Sequence, residues 1–192
     1  MILEVVKYGH PALRQKGVCI EKVDAAVKHL IADMFETMYA AKGVGLAAQQ
    51  VGHALQLTVI DTRPATDRPS TIELDDQPAE VLDHMPLVLI NPVIKPVGDP
   101  SPGPEGCLSF PELYADITRP AYVEVTALNE KGKPIAFKAG GLLARAVQHE
   151  VDHLNGILFI DRIDKKTKAE MQPELDDLQA ETKARLQLAR KK

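Results

Sequence analysis

Apolar residues recur at three- and four-residue steps between positions 24 and 42, where Val27, Leu30, Ile31, Met34, Met38 and Tyr39 share one side of a helical projection. Asp24 is placed to cap the start of this helix. Gly43 is placed to end it, because glycine accepts the left-handed backbone that helix ends often need. The period then changes. Residues 55–61 read as a strand and 87–90 as a short buried one. Between them, residues 63–86 are rich in Pro, Asp, Thr and Glu and read as a surface excursion. Seven of the fourteen prolines crowd into residues 86–111, which excludes a helix there and predicts an extended, irregular segment. Residues 121–129 alternate as a strand, Glu130-Lys131-Gly132-Lys133 forms a turn, and 134–139 return as the second arm of a hairpin. After Gly140-Gly141 a helix is expected over 142–155, closed by Asn155-Gly156, and a charged helix over about 165–190. Strands gathered between helices predict an α+β fold with antiparallel pairing.

Composition narrows the field without choosing a function. A chain of 192 residues makes one compact domain, or a domain with a short appendage. With 45% apolar and 26% charged residues it is not a disordered chain. The two cysteines, Cys19 and Cys107, cannot form a disulfide framework and suit a reducing compartment. Residues 43–60 carry no full charge, but their three glycines and three glutamines argue against a membrane span. The opening Met1-Ile2-Leu3-Glu4 has the form of neither a secretory signal nor a transit peptide, so a soluble, cytoplasmic protein is expected. The net charge is −4, yet residues 183–192 hold Lys183, Arg185, Arg190, Lys191 and Lys192 without an acid, leaving −9 on the rest. An acidic body argues against general nucleic-acid binding and leaves the basic end to be explained separately; neither membrane binding nor direct sequence-specific nucleic-acid binding is expected.

The strongest chemical signal is His149-Glu150-Val151-Asp152-His153. On a helix, histidines at i and i+4 project from one face about a turn apart, the right separation for two nitrogens on one metal ion. Glu150 lies beside that face, within reach of a solvent molecule on the ion, as a general base. Leu142, Leu143, Ala146, Val147 and Leu154 share the face, whereas Arg145, Gln148 and Asp152 point the other way. A lone histidine in such a stripe would ordinarily be core filling. Two histidines and a carboxylate interrupting one apolar face are not, because a buried carboxylate without a partner is costly. An open metal site needs a third ligand. The candidates are Cys107, in Glu105-Gly106-Cys107-Leu108-Ser109, then Cys19, His10, His29, His53, His84 or a downstream acid. Cys107 is favoured, because a thiolate binds tightly and Gly106 lets the backbone approach closely, while Cys19, between Val18 and Ile20, reads as an ordinary buried thiol. A third segment, Gly43 to Gly52, offers small residues against which a substrate backbone can lie, and amide side chains able to donate to an oxyanion. A zinc metallopeptidase shares the His-Glu-x-x-His helix. It usually takes its third ligand from downstream, however, and no histidine follows His153.

Taken together, Gly43 to Gln50, Glu105 to Ser109 and Gln148 to Gly156 resemble, in order, the three motifs of the peptide deformylase family. The resemblance extends along about residues 1–165 and implies antiparallel sheets packed around a central metal-binding helix, flanked by N-terminal and C-terminal helices. It implies a catalytic domain over 1–164 with a charged C-terminal helix over 165–192. It further implies hydrolytic removal of the formyl group from N-formylmethionyl nascent peptides, with release of formate. Carried over residue by residue, it makes Cys107, His149 and His153 the metal ligands and Glu150 the acid/base. Gln50 and the Leu108 N–H become the oxyanion donors, and the Gly45 backbone the support for the substrate amide. The family works best with one ferrous ion per chain, with zinc, nickel or cobalt as substitutes, although spacing alone would suggest zinc. Glu105 is expected to orient a ligating histidine, and Asp152 to pair with Arg119. Two positions depart from many relatives: Tyr114, where some carry arginine, and Arg145, where many carry an aliphatic residue. The basic end suits docking on the ribosome.

Overall fold

The computed structural model describes residues 1–189. After a 3₁₀ turn at Pro11–Arg14 the chain forms helix α1 (Ala25–Ala40), strand β1 (Gly45–Ala47), a 3₁₀ turn (Ala48–Val51) and β2 (Leu57–Ile60). Strands β3 (Ser70–Leu74) and β4 (Gln77–Ala79) follow, then the long β5 (Leu87–Cys107) and β6 (Phe110–Leu128), and β7 (Pro134–Gly140). Helix α2 (Gly141–Leu154), a 3₁₀ turn (Phe159–Asp161) and helix α3 (Lys165–Ala189) complete it. The strands pair antiparallel in the order β1-β2-β5-β6-β7-β3-β4, which is the expected α+β class.

Helix α1 forms as its pattern predicts. The Asp24 carboxylate accepts the Val27 N–H (2.9 Å), satisfying a donor the first turn cannot use. Met34 and Met38 are fully buried against Leu46, Leu57, Val59 and Ile90 from β1, β2 and β5. The end of the helix differs from expectation. Lys42, not Gly43, takes the left-handed backbone (φ 56°), so that the Gly43 N–H reaches back to the Met38 carbonyl (2.9 Å). Gly43 serves close approach instead, since a Cβ there would lie 2.8 Å from Leu108 Cδ1.

Residues 63–86 are more than a surface excursion. They contain the β3–β4 hairpin, which turns through Asp75 and Asp76 at φ 50° and 60° and adds to the edge of β7. Only Ile72 of these strands is buried, so the segment has no apolar alternation to announce it. The proline-rich stretch is extended, and it is paired. Pro100, Pro102 and Pro104 fall on every second residue of β5 opposite β6. Their missing N–H groups therefore share the edge that β2, paired only along Leu87–Ile90, leaves open.

Helix α2 is buried from Leu142 to Leu154 except at Arg145, which is half-buried. The side carrying Gln148 and Asp152, expected to face away, packs on β6. The Gln148 amide donates to the Pro120 carbonyl (3.0 Å), and Asp152 receives the guanidinium of Arg119. Helix α3 buries Met171 and Leu175 among Leu13, Phe110, Ile117 and Phe159, and Thr182 further along. Of the basic end, Lys183 and Arg185 are exposed, and Arg190, Lys191 and Lys192 lie outside the described residues. Cys19 is exposed rather than buried, because the Val18–Ile20 segment crosses the surface and turns only Ile20 inward. Among the described residues, no helix is long and apolar enough to cross a membrane.

Candidate active site

Helix α2 brings His149 and His153 to one side, one turn apart, with ring centroids 5.0 Å from each other. Cys107 reaches them from the last residue of β5, where the chain reverses through Leu108-Ser109 and pairs Cys107 with Phe110. The sulfur of Cys107 lies 3.3 Å from His153 Nε2. One ligand atom from each of the three residues falls within 4.8 Å of the others, and among the described residues this is the one such grouping of His, Cys, Asp or Glu. The remaining candidates are elsewhere. His10 caps the first 3₁₀ turn by accepting the Ala12 N–H (3.2 Å), and His29 faces Asp33 (3.4 Å).

A buried charge network holds this arrangement. Glu105 accepts from His149 Nδ1 (3.0 Å), leaving Nε2 as the free ligand atom of that ring. The same carboxylate accepts Arg119 Nε (2.6 Å) and Nη2 (2.9 Å), and Arg145 Nη1 (2.9 Å). Arg119 Nη1 continues to Asp152 (2.9 Å), which Arg162 also grips. Burial raises the Glu105 carboxyl, but the hydrogen bonds from His149 and Arg119 outweigh it and bring the group to about 2. Glu105 is thus an anion that fixes both the tautomer and the direction of His149.

Glu150 meets the opposite environment. It is buried, its Oε2 has no hydrogen-bond partner, and burial pushes its pKa up to about 7. Its other carboxylate edge packs on β1. A Cβ at Gly45 would fall 2.9 Å from Glu150 Cγ and Cδ, so only glycine fits there. Gln50 is 1% exposed and aimed by its own backbone turn: Oε1 accepts the Ala47 N–H (2.8 Å). The amide Nε2 then points toward Cys107 Sγ (3.5 Å) and Ser109 Oγ (3.4 Å). Gln49 is turned away, toward the carbonyls of Gln15 and Leu154. A cavity of about 630 Å³ opens beside Gly45, Gln50, Cys107, Leu108, His149 and Glu150. A thiolate and two imidazoles converging there suit a soft or borderline divalent ion, and Glu150 lines the same cavity.

A family model described as polypeptide deformylase matches residues 2–169. The chain belongs to the peptide deformylase family. The peptide deformylase of Methylacidiphilum infernorum is 46% identical over 178 residues, covering 93% of each chain, and that of Opitutus terrae is 44% identical over 190 residues, covering 98% of each. Among solved structures, Arabidopsis thaliana peptide deformylase 1B superposes with a TM-score of 0.81 at 34% identity, covering 96% of this chain and 94% of that one. The Synechococcus elongatus enzyme in complex with actinonin gives 0.73 at 39%, covering 94% and 85%. As a family member, the chain is a metallo-hydrolase that removes the N-formyl group from nascent chains.

Several residues around the site are given no role in it by the sequence. Ser109 is fully buried beside the Gln50 amide. Lys7 donates to the Leu108 carbonyl (2.7 Å) from the far end of the chain. Arg145 does not point away from the histidine face. It shares Glu105 with His149 and also donates to the carbonyls of Ile117 and Ser101, both at 2.8 Å. Its four-residue spacing from His149 is the signal that could have found it. The second departure, Tyr114, is 73% exposed and lines the cavity.

Proposed function

We propose that Cys107, His149 and His153 hold a single catalytic ion, and that Glu150, Gln50 and the Leu108 N–H carry out deformylation around it. The observation that carries this reading is an unpartnered buried carboxylate and an aimed amide beside three converging ligands, of which Cys107 and His149 line the same cavity. A bound divalent ion would supply Lewis-acid polarisation and activation of water at neutral pH. Gly45 lets a substrate backbone lie close beside Glu150. Glu150 takes a proton from the attacking water at its free oxygen and delivers it to the nitrogen as the C–N bond breaks, leaving formate and a free N-terminus. Negative charge developing on the formyl oxygen meets the Gln50 amide and the Leu108 N–H. Because Gln50 is locked by the Ala47 N–H, it needs no reorganisation at that moment. Replacing Gln50 with Ala is therefore expected to lower kcat by about 10²–10³-fold, read by formate release. The reading as a whole is tested with formyl-Met-Ala-Ser beside its acetylated and unblocked forms. Turnover of the first alone is expected, and comparable turnover of the acetylated peptide would contradict it.

Ferrous iron is the ion we assign, with zinc, nickel or cobalt as substitutes, since one thiolate and two imidazoles suit all of them. Unpaired Cys19 and Cys107 favour a reducing, cytoplasmic setting. Residues 1–164 form the catalytic unit in this reading, and residues 165–192 an appended segment whose exposed Lys183 and Arg185, on helix α3, begin a basic end suited to RNA phosphates of the ribosome. Deleting residues 180–192 should then weaken co-sedimentation with ribosomes while hydrolysis of a formyl-tripeptide persists. Unchanged co-sedimentation would remove the docking role.

A further inference from the structure

The turn that follows Cys107 is two residues long, since Cys107 pairs directly with Phe110. Its residues are Leu108 and Ser109, neither of them the glycine or asparagine that closes such turns unaided. Its anchorage comes from the other end of the chain. The ammonium of Lys7 donates to the Leu108 carbonyl (2.7 Å), a short charge-assisted bond. The next residue, Tyr8, donates its N–H to the Ser109 carbonyl (2.9 Å), and the preceding one, Val6, donates to the Gln50 carbonyl (2.8 Å). Three consecutive residues thus tie together both segments that supply the oxyanion donors. The Tyr8 ring stacks on Phe110 (centroids 4.9 Å apart), which seats this strap on the core.

Lys7 stands out within the strap because its contact is made by a side chain. It is half-buried and lines the catalytic cavity, and among the described residues no carboxylate lies within 4.0 Å of its ammonium. Ordinary burial of a lysine loses hydration without return; here the return is the carbonyl of one turn residue. We propose that Lys7 is a positioning residue for the oxyanion hole, its ammonium holding the Leu108 carbonyl so that the Leu108 N–H stays aimed at the formyl oxygen. This rests on the reading that Leu108 is an oxyanion donor. The carbonyl and N–H of Leu108 belong to the two peptide planes that meet at its Cα. Pairing of Cys107 with Phe110 fixes where the turn begins and ends, and Lys7, by holding the carbonyl plane, limits how far the adjoining N–H plane can rotate about that Cα. Without Lys7 the turn keeps its ends and loses its direction, an error that acts on the transition state more than on substrate binding.

The test uses the full-length, metal-loaded enzyme and formyl-Met-Ala-Ser, with the wild type, Lys7→Met and Lys7→Arg compared for metal content, kcat, KM and thermal midpoint. Lys7→Met is expected to keep one ion per chain and a KM within about twofold of wild type while kcat falls about 10–100-fold. Lys7→Arg, which retains a cationic donor, is expected to recover most of that loss. A wild-type kcat in Lys7→Met, a loss confined to KM, or a loss that follows metal content would overturn the proposal while leaving the deformylase reading intact. An inactive wild type would overturn both.

Discussion

Replacing Glu150 with Gln is expected to lower formate release by about 10²–10⁴-fold while the protein keeps its ion. The substitution preserves the shape that packs against Gly45, where the carboxylate approaches so closely that no side chain could be added to the glycine. It also removes a buried titratable group whose free oxygen has no partner, so the fold loses no hydrogen bond at that atom. Only the capacity to take and return a proton disappears. Metal analysis and single-turnover formate release on the same preparation separate the two contributions. A variant that retains wild-type turnover would show that Glu150 is packing rather than chemistry. One that loses metal together with activity would show that it acts through the ligands.

The largest effect on stability is expected at Arg119. Its side chain is 4% exposed and joins two carboxylates from different elements, Glu105 on β5 and Asp152 on α2. Replacing it with Met keeps most of the apolar volume and leaves both anions short of a partner. Breaking a buried pair in this way costs about 3–5 kcal/mol, because the remaining charges stay desolvated. Arg145 still reaches Glu105 and Arg162 still reaches Asp152, so the expected cost lies within that range rather than above it. Urea denaturation of Arg119→Met against wild type measures it. A change below about 1 kcal/mol would mean that the two flanking arginines suffice. Ion affinity should fall as well, since Glu105 then holds His149 less firmly.

The parts of the molecule legible in the sequence are those set by local period. The His149 and His153 pair could be read because helical spacing alone places i and i+4 on one face, and helix α1 because six apolar residues keep that spacing. The strands that carry the site were legible only in outline. The β3–β4 hairpin is short, half-exposed and turned by two aspartates, so its sequence reads as a surface excursion. Helix α2 was read as amphipathic, yet Gln148 and Asp152 are as hidden as the leucines. Arg119 is the partner expected for Asp152, whereas the Pro120 carbonyl that satisfies Gln148 lies on another element and has no trace in the periodicity of the helix. Lys7 shows the same limit at its extreme, since it meets Leu108 across 101 residues of sequence. Cys19 misled for the converse reason. Apolar neighbours on both sides suggest burial, but the segment crosses the surface, where Val18 and Cys19 are both outside and only Ile20 is inside.

The convergence of Cys107, His149 and His153 on one working ion is tested most directly by anaerobic titration of ferrous iron into metal-free protein, with formate release from formyl-Met-Ala-Ser followed at each addition. Activity should be absent at the start, rise in proportion to added iron and stop rising at one equivalent per chain, with Cys107→Ser and His153→Ala giving no such rise. Full turnover without metal, or a rise that Cys107→Ser reproduces, would contradict it.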